Sequence, residues 1–172
     1  MTTPRAERPD MTDYGVPRDL ADALPWSWAE ERLLRNRNYW VVTASAQGRP
    51  HALPVWGVWL PDTSTFAFSC SPNARKARNM RANPQVAFTI DDTVECVSVE
   101  GVARELPADR QQAVAQTYAA KYEPDPVKQA EMVTFVTSHS MWEVVPQRAF
   151  AVIEREDEFA QRATRWVWEL GS

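Results

Sequence analysis

Between residues 85 and 90, Val86, Phe88 and Ile90 alternate with Gln85, Ala87 and Thr89, the period-two pattern of a strand with one covered face. Residues 39–46 and 50–60 flank Gln47-Gly48-Arg49, where glycine can supply the positive φ of a tight hairpin. The second of these strands is apolar on both parities: Leu53, Val55 and Trp59 on one, Ala52, Trp56 and Val58 on the other. Both of its faces must therefore be covered. Pro54 within it removes a ladder donor, which suits an edge or a bulge.

Further strands are predicted over 65–70, after the Pro61-Asp62 turn, over 94–104, with Gly101 marking a bulge, and over 141–153. A period near 3.6 appears elsewhere. Trp26, Ala29, Leu33 and Leu34 share a helical face; 73–83 is helical in composition and is stopped by Pro84. Val114, Ala115, Tyr118, Ala119 and Tyr122 form a stripe after Pro107, and Val127, Ala130 and Thr134 mark another helix. Residues 1–25 carry Pro4, Pro9, Pro17 and Pro25 without apolar periodicity, and are read as a flexible N-terminal arm. Residues 26–172 are read as one domain. About six short strands with few helices predict a mainly β, α+β fold, a small antiparallel barrel.

Composition narrows the chemistry. The chain has 172 residues, 44% hydrophobic and 24% charged, enough to bury roughly 70% of its unfolded surface without a disulfide or metal staple. Cys70 and Cys96 are expected to be reduced, in a cytoplasmic protein that neither enters the secretory route nor spans a membrane. With only 5 Gly, no dinucleotide fingerprint and no P-loop can be written. His51, His139, Cys70 and Cys96 are scattered singly, so no metal is expected. There is no nucleophile elbow, and a net charge of -4 argues against a nucleic-acid partner.

Two constellations carry chemistry. Arg75, Lys76, Arg78 and Arg81 fall within seven residues of an otherwise acidic chain. Ser71 is a good N-cap and Pro72 suits a first helical position, so this segment reads as a phosphate clamp of amides, dipole and cations. Spacing alone leaves a solvated basic face equally open. The strand around Pro54-Val55-Trp56 offers an apolar wall for a flat conjugated ring, with Trp56 and Trp59 as its aromatic members; barrel core or subunit interface is the competing reading.

Taken together, the Gly48-Arg49-Pro50-His51 turn, the Pro54-Val55-Trp56 strand, a strand ending at Ser69, Ala74-Arg75-Lys76-Ala77-Arg78-Asn79-Met80 and Asn83-Pro84 resemble the pyridoxamine 5'-phosphate oxidase-like split β-barrel superfamily. The likeness is greatest to its flavin/deazaflavin oxidoreductase branch and covers roughly residues 27–168, including Arg148-Ala149-Phe150-Ala151 and Ala163-Thr164-Arg165-Trp166. It implies a six-stranded split β-barrel with peripheral helices, and a homodimer with two cofactor sites at the subunit interface. Arg75 and Lys76 match the pair that holds the cofactor phosphate. Pro54, Val55 and Trp56 match the strand beside the ring, and Ser69 matches the strand end beside the ribityl chain. Asn79 and Arg78 complete the expected cofactor-binding set. The substrate-binding Arg and His pattern of true pyridoxamine-phosphate oxidases is missing after Trp142, so vitamin B6 oxidation is not expected.

The expectation is an oxidoreductase that passes a hydride from reduced F420 to a small conjugated organic acceptor, with no side chain assigned as catalytic. FMN in the same fold is the alternative cofactor. Arg78 and Arg81 weakly favour F420, whose tail is polyanionic. A non-catalytic barrel holding flavin, haem or a lipid is the reading from another class.

Overall fold

A computed structural model describes residues 3–169. Six strands close into an antiparallel barrel: β2 (Asn38–Ala44), β3 (Pro50–Leu60), β4 (Thr65–Cys70), β5 (Gln85–Ile90), β6 (Glu95–Glu105) and β7 (Ser140–Ile153). Their order around the barrel is β7-β4-β3-β2-β5-β6, with β6 returning to β7. The β2–β3 turn uses Gly48 at φ 78, and its N–H donates to the Ser45 carbonyl at 2.8 Å. The predicted Gly101 bulge is present: the β6–β7 register shifts between Glu100 and Gly101. A Cβ at Gly101 would lie 2.3 Å from the Val145 carbonyl oxygen, so only glycine passes there.

Two strands escaped the hydrophobic pattern. β8 (Thr164–Val167) pairs with β7, and β1 (Arg5–Glu7) pairs with β8. The segment expected as a flexible arm is thus strand-paired at β1, and its Val16 and Leu24 are buried. Three residues give no readable period; the pairing comes from a partner about 160 positions away.

The barrel interior is filled by Tyr39, Val41, Phe66, Phe68, Phe88, Val97, Val99 and Val144, with the Phe66 and Phe88 rings stacked at 4.3 Å. α1 (Trp26–Arg35) closes one side by placing Trp26 edge-on to Trp59, Trp166 and Trp168. α2 (Arg75–Ala82) buries Ala77 and Met80. α3 (Ala108–Tyr122) and α4 (Pro126–Thr137) cover Val58, Ala67 and Met141 on the outside of the barrel. Glu143, fully buried on β7, meets Arg104 at 2.8 Å and Arg110 at 2.7 Å, so the start of α3 is pinned by a paired buried charge. A short α5 (Phe159–Arg162) leads into β8. Among the described residues no helix is long and apolar enough to cross a membrane.

Candidate functional site

β3 is built in two halves. Residues 57–60 pair with β4, and residues 50–56 pair with β2 alone. Pro54 lies in the single-sided half, where its missing N–H costs no ladder bond. Its cross-strand partner is Trp40. Trp40 is 43% exposed and Trp56 46%. Together with Pro54 and Ala52 they form an apolar outward face that the described chain leaves half-exposed.

The expected Trp56–Trp59 wall does not form. The two residues differ in strand parity: Trp59 points inward, 2% exposed, and donates from its indole N–H to Glu30 at 3.0 Å. Trp56 points outward and stacks on Tyr122 at 4.9 Å with rings 6° from parallel. Its companion on the outward face is Trp40, which lies opposite Pro54 and which the sequence did not single out. Val55, on the inward parity, packs against the core, so Pro54, Val55 and Trp56 do not share one face.

Where β3 passes beyond the start of β2, a side chain takes over the ladder. The Gly57 N–H donates to the Tyr122 hydroxyl at 2.8 Å. That hydroxyl lies 2.7 Å from the Arg37 carbonyl and 2.8 Å from that of Gly57, and donates to one of them. Lys121 donates to the Tyr39 hydroxyl at 2.6 Å and to the Gly57 carbonyl at 3.1 Å. Burial, then the nearby Arg37 charge, brings the Lys121 amine down to about 8. Burial raises Tyr122 to about 12 and Tyr39 further. The sequence marked Tyr122 only as part of an apolar stripe, and gave no sign that its hydroxyl serves a strand.

The cationic helix begins later than expected. Ala74, not Ser71, is the N-cap, without a side-chain bond, and Arg75 is the first helical residue. Ser71 instead accepts from the Asn73 N–H at 3.3 Å, and Pro72 stays outside the helix. Its four cations are not equivalent. Arg81 pairs with Glu105 at 3.2 Å and donates to the Pro72 carbonyl at 2.9 Å; Arg78 donates to the Asn73 carbonyl at 2.5 Å. Arg75 and Lys76 make no ion pair among the described residues. Both act on His51 of β3, whose imidazole is held below its usual value by burial first and then by these two charges. His51 therefore lies near the start of α2.

Two predicted members are occupied with the fold itself. Asn79 is buried and donates to the Thr43 hydroxyl at 3.0 Å, holding α2 on β2. Ser69 donates to the Val136 carbonyl at 3.3 Å, tying β4 to α4. Next to it, burial raises the Cys70 thiol, with Lys76 and Arg81 opposing that shift. No group of three or more metal-ligating side chains is present among the described residues.

A family model described as pyridoxamine 5'-phosphate oxidase matches residues 29–153, from within α1 through the whole barrel to the end of β7. The chain belongs to that family. No curated protein matches it. Among solved structures it is similar to the conserved hypothetical protein Rv2991 from Mycobacterium tuberculosis, at 20% identity and TM-score 0.67, covering 77% of this chain and 86% of that one. An F420 reductase is similar at 21% identity and TM-score 0.53, covering 70% and 94%. HutZ, the haem storage protein of Vibrio cholerae, is similar at 20% identity and TM-score 0.56, covering 73% and 90%. At such identities these likenesses bear on the fold alone.

Proposed function

We propose that this chain is an F420H2-dependent oxidoreductase acting on a small conjugated organic acceptor in the cytoplasm, as a homodimer that encloses its cofactor between subunits. The observation that carries the proposal is the pairing of two features: Arg75 and Lys76 without carboxylate partners, and the half-exposed Trp40–Pro54–Trp56 face. The first fits a phosphate, held by charge-assisted bonds at a helix start. The second fits burial by a second copy, because a strand apolar on both faces has only one of them covered within a single barrel. The F420 reductase among the fold's relatives agrees with this reading.

Bound F420 would supply the hydride chemistry. The chain's own part is to hold the phosphate with Arg75 and Lys76, to present the single-sided half of β3 to the ring, and to exclude water by dimer closure. Arg81 can turn to a tail carboxylate, since its pair with Glu105 is exposed and such pairs hold by less than about 1 kcal/mol. The engagement of Arg78 and Arg81 is also the observation that favours the second reading, FMN, whose anion ends at the phosphate and needs only Arg75 and Lys76. A third reading, a barrel that stores haem, draws on HutZ. It needs an axial ligand, and His139, with Nδ1 2.8 Å from the Phe135 carbonyl, would offer Nε2.

Equilibrium titration of the purified protein with F420, FMN and haem, read by absorbance and by fluorescence, tests the proposal. F420 is expected to bind tightest, and Arg75→Ala or Lys76→Ala to cost roughly 1.5 to 3 kcal/mol of binding, about tenfold to a hundredfold. Retention of FMN through gel filtration with no F420 binding at low salt would promote the second reading. A folded Arg75→Ala/Lys76→Ala double variant with undiminished affinity would remove the clamp.

A further inference from the structure

On one side of the barrel only β3 joins β4 to β2. It changes neighbours within a single step: Trp56 is the last residue paired with β2, opposite Asn38, and Gly57 the first paired with β4, opposite Phe68. No residue of β3 is paired on both sides, so ladder bonds hold each half to a different strand and none spans the step.

Tyr122, the last residue of α3 and itself buried, spans that step. Its hydroxyl accepts from the Gly57 N–H at 2.8 Å and lies 2.7 Å from the carbonyl of Arg37, the residue before β2. One hydroxyl thus touches both the joint in β3 and the entry to β2, and burial, which raises it to about 12, keeps it protonated near neutral pH. Its ring lies flat on the half-exposed Trp56 indole, at 4.9 Å and 6° from parallel, so α3 also sets the tilt of that indole. α3 is a firm support: Arg110 near its start is held by the buried Glu143 at 2.7 Å, and Lys121 at its end adds a bond to the Gly57 carbonyl at 3.1 Å.

We propose that Tyr122 is a positioning residue for the cofactor ring, which holds residues 50–56 and the Trp56 indole at the offset the ring requires and acts through them rather than by touching the ring. The role rests on the reading of the Trp40–Pro54–Trp56 face as the ring's seat. Without the hydroxyl, residues 57–60 keep β4 and residues 50–56 keep β2. What the hydroxyl contributes on its own is the relation between the two halves, and a ring seat is productive only when its parts are held to within about 0.5 Å.

The test compares the full chain as wild type, as Tyr122→Phe, which keeps the stacked ring and removes the hydroxyl, and as Thr164→Val, which removes a buried hydroxyl that accepts from the Leu24 N–H at 2.8 Å on β8. F420, FMN and inorganic phosphate are titrated against each at low salt, the cofactors by absorbance and fluorescence and phosphate by the amide resonances of α2. Whichever cofactor the wild type holds is expected to bind about tenfold more weakly to Tyr122→Phe, with a shifted visible band of the bound ring, while phosphate binds within about twofold of wild type. Thr164→Val is expected to bind both as the wild type does. Lys121→Met, which removes the neighbouring bond to the Gly57 carbonyl and leaves the hydroxyl, is expected to show the same selective loss at about threefold, and carries the test if Tyr122→Phe folds poorly. Unchanged cofactor affinity in Tyr122→Phe, or a loss shared by phosphate or by Thr164→Val, overturns the positioning role and leaves the cofactor reading standing. A wild type that holds neither F420 nor FMN overturns that reading, and this role with it.

Discussion

The two halves of β3 share one backbone and nearly one composition, yet have opposite fates. Residues 57–60 pair with β4 alone and have Val58 and Trp59 buried, whereas residues 50–56 pair with β2 alone and leave Leu53, Pro54 and Trp56 exposed. Apolar character therefore does not by itself assign a residue to the core. The surface packed over it does: Val58 shares a cluster with Val114 and Tyr118 of α3, and Trp59 meets Trp26 of α1. The dividing point is Gly57, where Tyr122 and Lys121 of α3 supply bonds in place of a strand.

The largest expected effect is at the buried half. Trp59→Ala removes a core ring and its bond to Glu30, and should cost about 3–5 kcal/mol of unfolding free energy in urea denaturation. Trp56→Ala, three residues earlier, should cost only about 0.5–1.5 kcal/mol, the worth of its stack on Tyr122. Equal losses would break the contrast.

At the boundary, Gly57→Ala places a Cβ 2.3 Å from the Phe66 ring and 2.9 Å from the Ala67 carbonyl oxygen. The ring can turn but the backbone cannot, so a loss of about 1–3 kcal/mol is expected from thermal or urea unfolding. A neutral result would mean that the strand separates from β4 more easily than its pairing implies.

For the exposed half, Trp40→Ser/Trp56→Ser should lower the dimer fraction seen by sedimentation at micromolar concentration, while the far-ultraviolet circular dichroism stays unchanged. A wild-type mass of one chain at that concentration would sink the dimer.

The smallest effect is in pH. Lys121 titrates near 8 in the fold against 10.5 unfolded. The unfolded chain thus binds more protons between those values, and stability should rise with pH across that interval, being lowest below 8. The raised Tyr39 and Tyr122 act oppositely above about 10, where the unfolded tyrosines ionise first. Cys70 and Cys96, raised by burial from 9.0, oppose the rise from about 9 upward, so the window is pH 8 to 9, and Lys121→Met should remove its positive slope. An unchanged slope would relocate it to other groups.

Much of the barrel was legible because strand period and turn chemistry are local. The bounds of β3, β4 and β5, the Gly48 turn, the Gly101 bulge and the stop at Pro84 all follow from neighbours a few positions apart. The candidate site was legible in its cations and less so in its partners. Arg75 and Lys76 lie at the start of α2, but nothing near Asn79 in the chain announces Thr43, and nothing near Arg81 announces Glu105.

What the sequence determined by itself was the alternation, hence which side chains share a face of each strand, and the helix that concentrates positive charge. Only the tertiary structure decided which faces find a cover, which cations find a carboxylate, and that residues 8–18 meet Arg165 across the whole length of the chain. The physical reason is range: dihedral preference and side-chain parity are set by adjacent residues, while burial and charge pairing are set by whatever the closed barrel brings alongside.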